Sequence, residues 1–235
     1  IMTGAPMPSG TDTVVMQEQV EVENERVTIG SGHRQGQNVR QAGEDLAKGQ
    51  AVFKPGKWLG PAEIGVMASM GFGEVAVVRR PTVAFFSTGD ELRSIGEPLG
   101  EGEVYDSNRY TVYGMLTRLG CNVLDMGVIT DDPEKLRAAF QAASRQADVV
   151  ITTGGVSVGE ADYIHSILDE LGEVAFWKLA IKPGRPLTHG KLGKALFFGL
   201  PGNPVAVAVS FYQFVHPAIR YLMSGEMDQP LLIPA

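Results

Sequence analysis

The sequence predicts a three-layer α/β/α domain with a mostly parallel sheet, preceded by a partial β-rich domain and a short helix–strand linker segment. Three observations predict it. From residue 82 to about 223, strand-like and helix-like patterns alternate, which implies parallel strands covered by helices on both faces. The stretch 147–162, ADVVITTGGVSVGEAD, runs a β-branched apolar strand into a glycine-rich turn and then a helical pattern. Residues 1–50 instead hold short extended-type runs that glycines break up.

In chain order, 13–16, 19–22 and 26–29 read as extended, the last able to pair back across a turn at Glu23-Asn24-Glu25. Gly30, Gly32 and Gly36 end that pattern, and the polar segment 40–45 reads as a loop. Pro61 suits the first position of a helix over 61–70, which Gly71 ends, and 74–78 reads as a strand. Arg79-Arg80-Pro81 marks a boundary and reads as a solvated linker. Beyond it the strand candidates are 82–86, 122–126, 148–152, 175–179 and 195–198. The helix candidates are 107–119, 133–146, 161–171 and 204–222. Asp106 or Ser107 can cap the first helix, Asp132 with Pro133 starts the second, and Gly120 and Gly172 end helices.

Bulk composition narrows the function classes. With 235 residues, 44% hydrophobic and 20% charged, the chain has an ordinary soluble make-up. A net charge of −7 argues against a general nucleic-acid binder, though a local basic cluster could still hold a small anion. Cys121 is the only cysteine, which excludes disulfides, thiolate zinc sites and iron–sulfur clusters within one chain and fits a reducing, cytoplasmic setting. No apolar run approaches ~18 residues and no basic-then-apolar leader is present, so neither a membrane span nor a signal peptide is indicated. A start at Ile1 and a stop at Leu231-Leu232-Ile233-Pro234-Ala235 read as a piece of a longer protein.

The chemistry collects where strands end, because open parallel sheets bind ligands beyond the carboxyl ends of their strands. The strand 82–86 leads to Asp90 and Glu91, 122–126 leads to Asp131 and Asp132, and 148–152 leads to Glu160 and Asp162. Oxygen ligands without a suitable His or Cys set favour Mg²⁺ over zinc. Asp132 and Glu160 also suit plain helix-start roles, whereas Asp90, Glu91, Asp131 and Asp162 point to function. Next come Lys178, Lys182 and Arg185 in WKLAIKPGRP, three cations within eight positions, suited to gripping oxyanions or to forming a solvated loop. GLPGNPV at 199–205 again offers a glycine turn at a helix start. Other motifs fail: no dinucleotide fingerprint (position 35 is Gln), no GxxxxGK[ST], no HExxH, no GxSxG. His33, His165, His189 and His216 lack metal-site spacing, and Ser157 has no histidine base beside it in sequence.

Taken together, the stretches IMTGAPMPSGTDTVVMQE (1–18), GEDLAKG (43–49), STGDEL (87–92), VYDSNRY (104–110), DDP (131–133), TGGVSVGEADY (153–163), FWKLAIKPGRP (176–186) and GLPGNPV (199–205) resemble the molybdopterin molybdotransferase family, which includes bacterial MoeA and the E domain of gephyrin. The resemblance implies a reaction: molybdenum from molybdate is placed on the dithiolene of adenylylated molybdopterin and AMP is released, with Mg²⁺ assisting. It implies metal and catalytic roles for Glu91, Asp131 and Asp162, and oxyanion contacts for Lys178, Lys182 and Arg185. Gly154, Gly155, Ser157 and Gly159, with Pro201, Gly202 and Asn203, would hold the pterin nucleotide. Thr3 would reach the cleft, in the family often from the partner subunit. Arg185 stands where many members have lysine.

The resemblance also divides the chain into a partial β-rich domain (1–49), a helix–strand segment of an interrupted linker and dimerisation domain (50–80), the α/β/α molybdopterin-binding domain (81–225) and a linker (226–235) toward a C-terminal β-domain. It implies a homodimer in the full-length protein and the pathway's adenylyltransferase as a partner. The rival readings are an adenylyltransferase-like enzyme, which resembles 82–223, and a gephyrin-type scaffold.

Overall fold

The computed structural model describes residues 1–154 and 162–225, without the side chains of Asp162 and Tyr163. Two compact units divide the chain, Ile1–Lys54 and Pro55–Ala235. In the first, β1 (Val20–Glu23) and β2 (Arg26–Ile29) form an antiparallel hairpin whose register closes at Glu23↔Arg26. The run 13–16 is not a strand. Its Val14 N–H donates to Gln37 O at 3.0 Å, and its Val14 carbonyl accepts from Asn38 Nδ2 at 2.9 Å. β-branched residues alone do not make a strand where no ladder partner is supplied. No residue of 1–54 is buried.

The second unit opens with α1 (Pro61–Ser69), where Pro61 takes an early helical position and the Glu63 carboxylate accepts from the Gly60 N–H at 3.0 Å. The expected strand at 74–78 does not form: that stretch is irregular, with Val75, Val77 and Val78 exposed. Arg79 is no free linker charge. Its guanidinium forks onto Asp148 at 2.6 and 2.5 Å, and Asp148 also accepts from the Thr82 N–H at 2.8 Å.

A six-stranded sheet follows. Its strands are β3 (Thr82–Thr88), β6 (Asn122–Ile129), β7 (Val149–Thr153), β8 (Gly172–Lys178), β9 (Pro186–Leu192) and β10 (Ala195–Leu200), with β4 (Leu92–Arg93) and β5 (Val104–Tyr105) forming a small separate parallel pair. The spatial order is β6-β3-β7-β10-β9-β8. The pairs among β6, β3, β7 and β10 are parallel, whereas β9 runs antiparallel to both β10 and β8. β9 was not foreseen: it begins at a proline and carries Gly190, two residues that read as loop. Gly190 is needed there, since a Cβ would lie 2.1 Å from Glu173 O on β8.

Helices cover both faces. α3 (Pro133–Gln146) and α4 (Asp162–Leu171) pack one face around Phe86, Phe140 and Phe197, whose rings meet edge-on at 5.1 and 5.7 Å. On α3 the buried residues Leu136, Ala139, Phe140 and Ala143 recur at helical spacing. α2 (Ser107–Arg118), α5 (Pro204–Ser210) and α6 (His216–Ser224) cover the other face around Phe85, Ile151, Leu200 and Phe211. The span 204–222 is not one regular helix: a π-helical turn, Phe211–Val215, separates α5 from α6. Pro217, which has no N–H to donate, lies beyond that turn, after His216, in the first turn of α6, where it cannot continue the regular α-helical hydrogen bonding.

A candidate active site at the carboxyl ends of the strands

Strand direction decides which loops can meet. β8 is antiparallel to β9, and β9 to β10, so β8 points the same way as the four parallel strands. The carboxyl ends of β3, β6, β7, β10 and β8 therefore share one rim. Adjacent β3 and β7 send the chain to α2 and α4 on opposite faces, the arrangement that opens a crevice between strand ends.

At that crevice the turns touch. A Cβ on Gly154, just past β7, would lie 2.3 Å from the Thr88 carbonyl that ends β3, and Gly154 has φ +84. Only glycine fits both the backbone and the space. Gly202, after β10, sits with its Cβ position 4.0 Å from Gly154 Cα. Its carbonyl accepts from Asn108 Nδ2 of α2 at 2.7 Å, a contact spanning 94 positions. The Ser87 and Thr153 hydroxyls, one residue deeper in each strand, bond each other at 3.0 Å.

The acidic side is fixed by backbone. The Asp131 N–H donates to Asp90 Oδ1 at 3.1 Å, tying the end of β6 to the end of β3. The Glu91 carboxylate folds over Gly89, where a Cβ would meet Glu91 Oε2 at 2.5 Å. The Glu91 carbonyl accepts from the Val104 N–H at 2.9 Å, and Arg93 donates to the Asp90 carbonyl at 2.9 Å while pairing with Glu103. Hydrogen bonding from the Gly100 N–H, with the Arg93 charge, holds the Glu103 carboxyl below its usual range. The β4/β5 pair thus acts as a brace for Glu91. Asp132 caps α3, accepting from Glu134 and Lys135 N–H at 2.9 and 3.1 Å, which is the plain role foreseen for it.

The cationic side is arranged differently. β8 lies three strands from β7, roughly 14 Å at the usual strand spacing. Lys178 ends β8 and is exposed, as are Lys182 and Arg185 in the loop to β9. That loop closes through the Leu179 N–H on Arg185 O at 2.7 Å. It leans on α5 through buried Gly184, φ +101, whose Cβ position is 3.0 Å from Ser210 Oγ. α5 starts in the Gly202 turn, so packing runs from the acids through both glycine turns to the cationic loop.

Of the other anticipated residues, Pro201 and Asn203 belong to the turn between β10 and α5. Pro201 is buried, and Asn203 uses Oδ1 to cap α5 through Val205 and Ala206 N–H at 3.0 and 3.2 Å, leaving only its amide NH₂ for another partner. Thr3 occupies an exposed turn closed by the Ala5 N–H on Met2 O at 3.0 Å, within the first unit. Gly155, Ser157, Gly159 and Glu160 lie outside the described residues, as does the stretch 226–235. Asp162 begins α4, but its side chain is also outside them. Among the described residues no three His, Cys, Asp or Glu side chains form a metal-holding group. Asp90, Glu91 and Asp131 come from two adjoining strand ends and offer oxygen donors, the ligand type that Mg²⁺ takes, but as placed they do not converge into a three-ligand set. His165 stacks on Phe176 at 3.5 Å and His189 meets Trp177 edge-on at 5.2 Å. No described helix is long and apolar enough to cross a membrane.

Residues 84–221 match the family described as probable molybdopterin binding domain, and residues 1–71 match the MoeA N-terminal region, domains I and II. A molybdopterin molybdenumtransferase of Haemophilus influenzae is 49% identical over 94% of this chain and 55% of its own length. The Nostoc protein of the same name is 41% identical over 94% of this chain and 52% of its own. A solved molybdopterin biosynthesis MoeA protein from Pyrococcus horikoshii superposes with a TM-score of 0.78 at 28% identity, over 97% of this chain and 55% of that one. The chain spans about half the length of the relatives it matches. With the matched domain covering more than half of the sequence, the chain belongs to the molybdopterin-binding domain family, preceded by a MoeA-type N-terminal region.

Proposed function

We propose that this chain is part of a molybdopterin molybdotransferase that transfers molybdenum from molybdate to adenylylated molybdopterin and releases AMP. The observation that carries the reading is the continuous rim, on which carboxylates, two glycine turns and three cations follow one another in a chain 49% identical to a protein of that name. The glycine turns at Gly154 and Gly202, with Gly155, Ser157, Gly159, Pro201 and Asn203, would admit the pterin nucleotide to close backbone contact. Lys178, Lys182 and Arg185 would hold molybdate and phosphate oxygens as the phosphoanhydride bond breaks, an electrostatic contribution made in advance of the reaction. Asp90 would keep the Asp131 backbone in place, and the β4/β5 brace would keep Glu91 in place. Glu91, Asp131 and Asp162 would hold Mg²⁺, which when bound offsets phosphate charge. Thr3 would come from the N-terminal unit, in a homodimer from the partner subunit. A cytoplasmic setting and hand-over of substrate from the pathway's adenylyltransferase complete the proposal.

The test is AMP release by the full-length protein, supplied with adenylylated molybdopterin, molybdate and Mg²⁺. Asp131→Ala and Asp162→Ala should keep the wild-type circular dichroism spectrum and lose at least about a hundredfold in turnover, as expected when transition-state charge stabilisation is removed. Wild-type turnover in both variants would overturn the site assignment. ATP-dependent adenylylation of plain molybdopterin, with release of pyrophosphate, would instead favour the adenylyltransferase.

A further inference from the structure

Two buried polar atoms beside the glycine turns have no hydrogen-bond partner among the described residues: Thr88 Oγ1 and Asn108 Oδ1. Thr88 is 3% exposed and Asn108 8% exposed. Both sit at the crevice. Thr88 Oγ1 is 3.2 Å from the Cβ position of Gly154, and Asn108 is bonded to the Gly202 carbonyl through Nδ2. That bond fixes which end of the amide is which, because only the NH₂ can donate to a carbonyl. Oδ1 is therefore an acceptor whose orientation the protein has set. The contrast with the next layer is informative: Ser87 and Thr153, one step deeper, satisfy each other. Native proteins leave few buried polar atoms unpaired, and those they leave are commonly met by a ligand or a bound water.

We propose that Asn108 Oδ1 and Thr88 Oγ1 form a polar floor between the glycine turns that accepts hydrogen bonds from an amino-substituted heterocycle of the substrate. This rests on the functional reading above, which supplies two such groups, the aminopyrimidine edge of the pterin and the exocyclic amine of adenine. The two residues are binding residues and take no part in bond breaking. The site also gives the VYDSNRY stretch a role, since Asp106 caps α2 through the Arg109 N–H at 3.1 Å and so orients the turn that carries Asn108.

The cleanest test is Thr88→Val in the full-length protein. The change is isosteric and removes a hydroxyl that has no partner, so the free protein should unfold at the same temperature or higher. Calorimetric titration with molybdopterin and with AMP should then show about a three- to tenfold weaker affinity for one of them, the size of one neutral hydrogen bond. Asn108→Leu should weaken the same ligand at least as much. Loss toward molybdopterin assigns the floor to the pterin edge, and loss toward AMP assigns it to adenine. Wild-type affinity for both ligands in either variant overturns the proposal. Failure of the functional reading looks different: the unmutated protein would bind neither ligand, and the inference would fall with it.

Discussion

The two halves of the sheet rim are built on different principles. In the parallel half, the strand ends of β3, β6, β7 and β10 carry the acids and glycine turns, and each contact there uses a backbone group: Gly154 packs on the Thr88 carbonyl, and the Asp131 N–H donates to the Asp90 carboxylate. In the antiparallel half, β8 and β9 carry the cations on an exposed loop whose inner anchor is Gly184 on Ser210. Carboxylates gathered at one place repel, so they need a stiff frame to stay together without a cation. Lysine and arginine carry their charge on long side chains and tolerate a looser base. The comparison teaches that position is built into the fold on the acidic side and left to side-chain reach on the cationic side.

Substitutions can break or sharpen that contrast. Gly154→Ala should have the largest effect on stability, about 3 kcal/mol by urea denaturation, since φ +84 is unfavourable for alanine and the new methyl group meets the Thr88 carbonyl. Gly184→Ala should cost less, about 1–2 kcal/mol, because φ +101 is equally unfavourable but the nearest neighbour, Ser210 Oγ at 3.0 Å, is a side chain that can turn. A larger loss at Gly184 than at Gly154 would reverse the comparison.

Acid should act on the parallel half as well. The Arg79 hydrogen bonds, then the Thr82 N–H, hold the Asp148 carboxyl below its ordinary value in the folded protein. A lowered folded value means the stabilisation is present above the unfolded carboxyl range near pH ~4 and is lost as pH falls through the folded value. Arg79→Ala should therefore lower the melting temperature at neutral pH and flatten its decline on acidification, whereas an unchanged acid limb would count against the pair. At the smallest end, Lys182→Ala should leave stability within about 0.5 kcal/mol of wild type, because the side chain is exposed on its loop, while weakening molybdate binding.

Much of this was legible in the sequence, for reasons that vary by element. Helix starts at Asp106, Asp132 and Pro61 follow from local capping chemistry, which needs no distant partner. The strand-end rule placed Glu91, Asp131 and the glycine turn on one rim, because parallel topology fixes strand direction. What the letters hid depends on partners far along the chain. The runs 13–16 and 74–78 look like strands but are supplied with no ladder, and β9 looks like loop because Gly190 and Pro186 suit the neighbours they meet in the sheet. Gly172 likewise reads as a helix stop and is also the start of β8, where a Cβ would lie 1.9 Å from Lys191 O. The roles of Asn108 and Thr88 were missed for the same reason: nothing in spacing links position 108 to position 202. An Asn two residues into a capped helix, in a motif with no other use, is the signal that could have raised the question.

The central claim is that the acids and the cationic loop serve one pocket although they stand on opposite halves of the sheet. A crystal of the full-length protein soaked with molybdate, AMP and Mg²⁺ tests it most directly, with molybdenum located by its anomalous scattering. The account predicts molybdenum within reach of Lys178, Lys182 or Arg185 and on the same side of the rim as Glu91 and Asp131. Molybdenum bound at another face of the molecule, away from every one of these side chains, would contradict it.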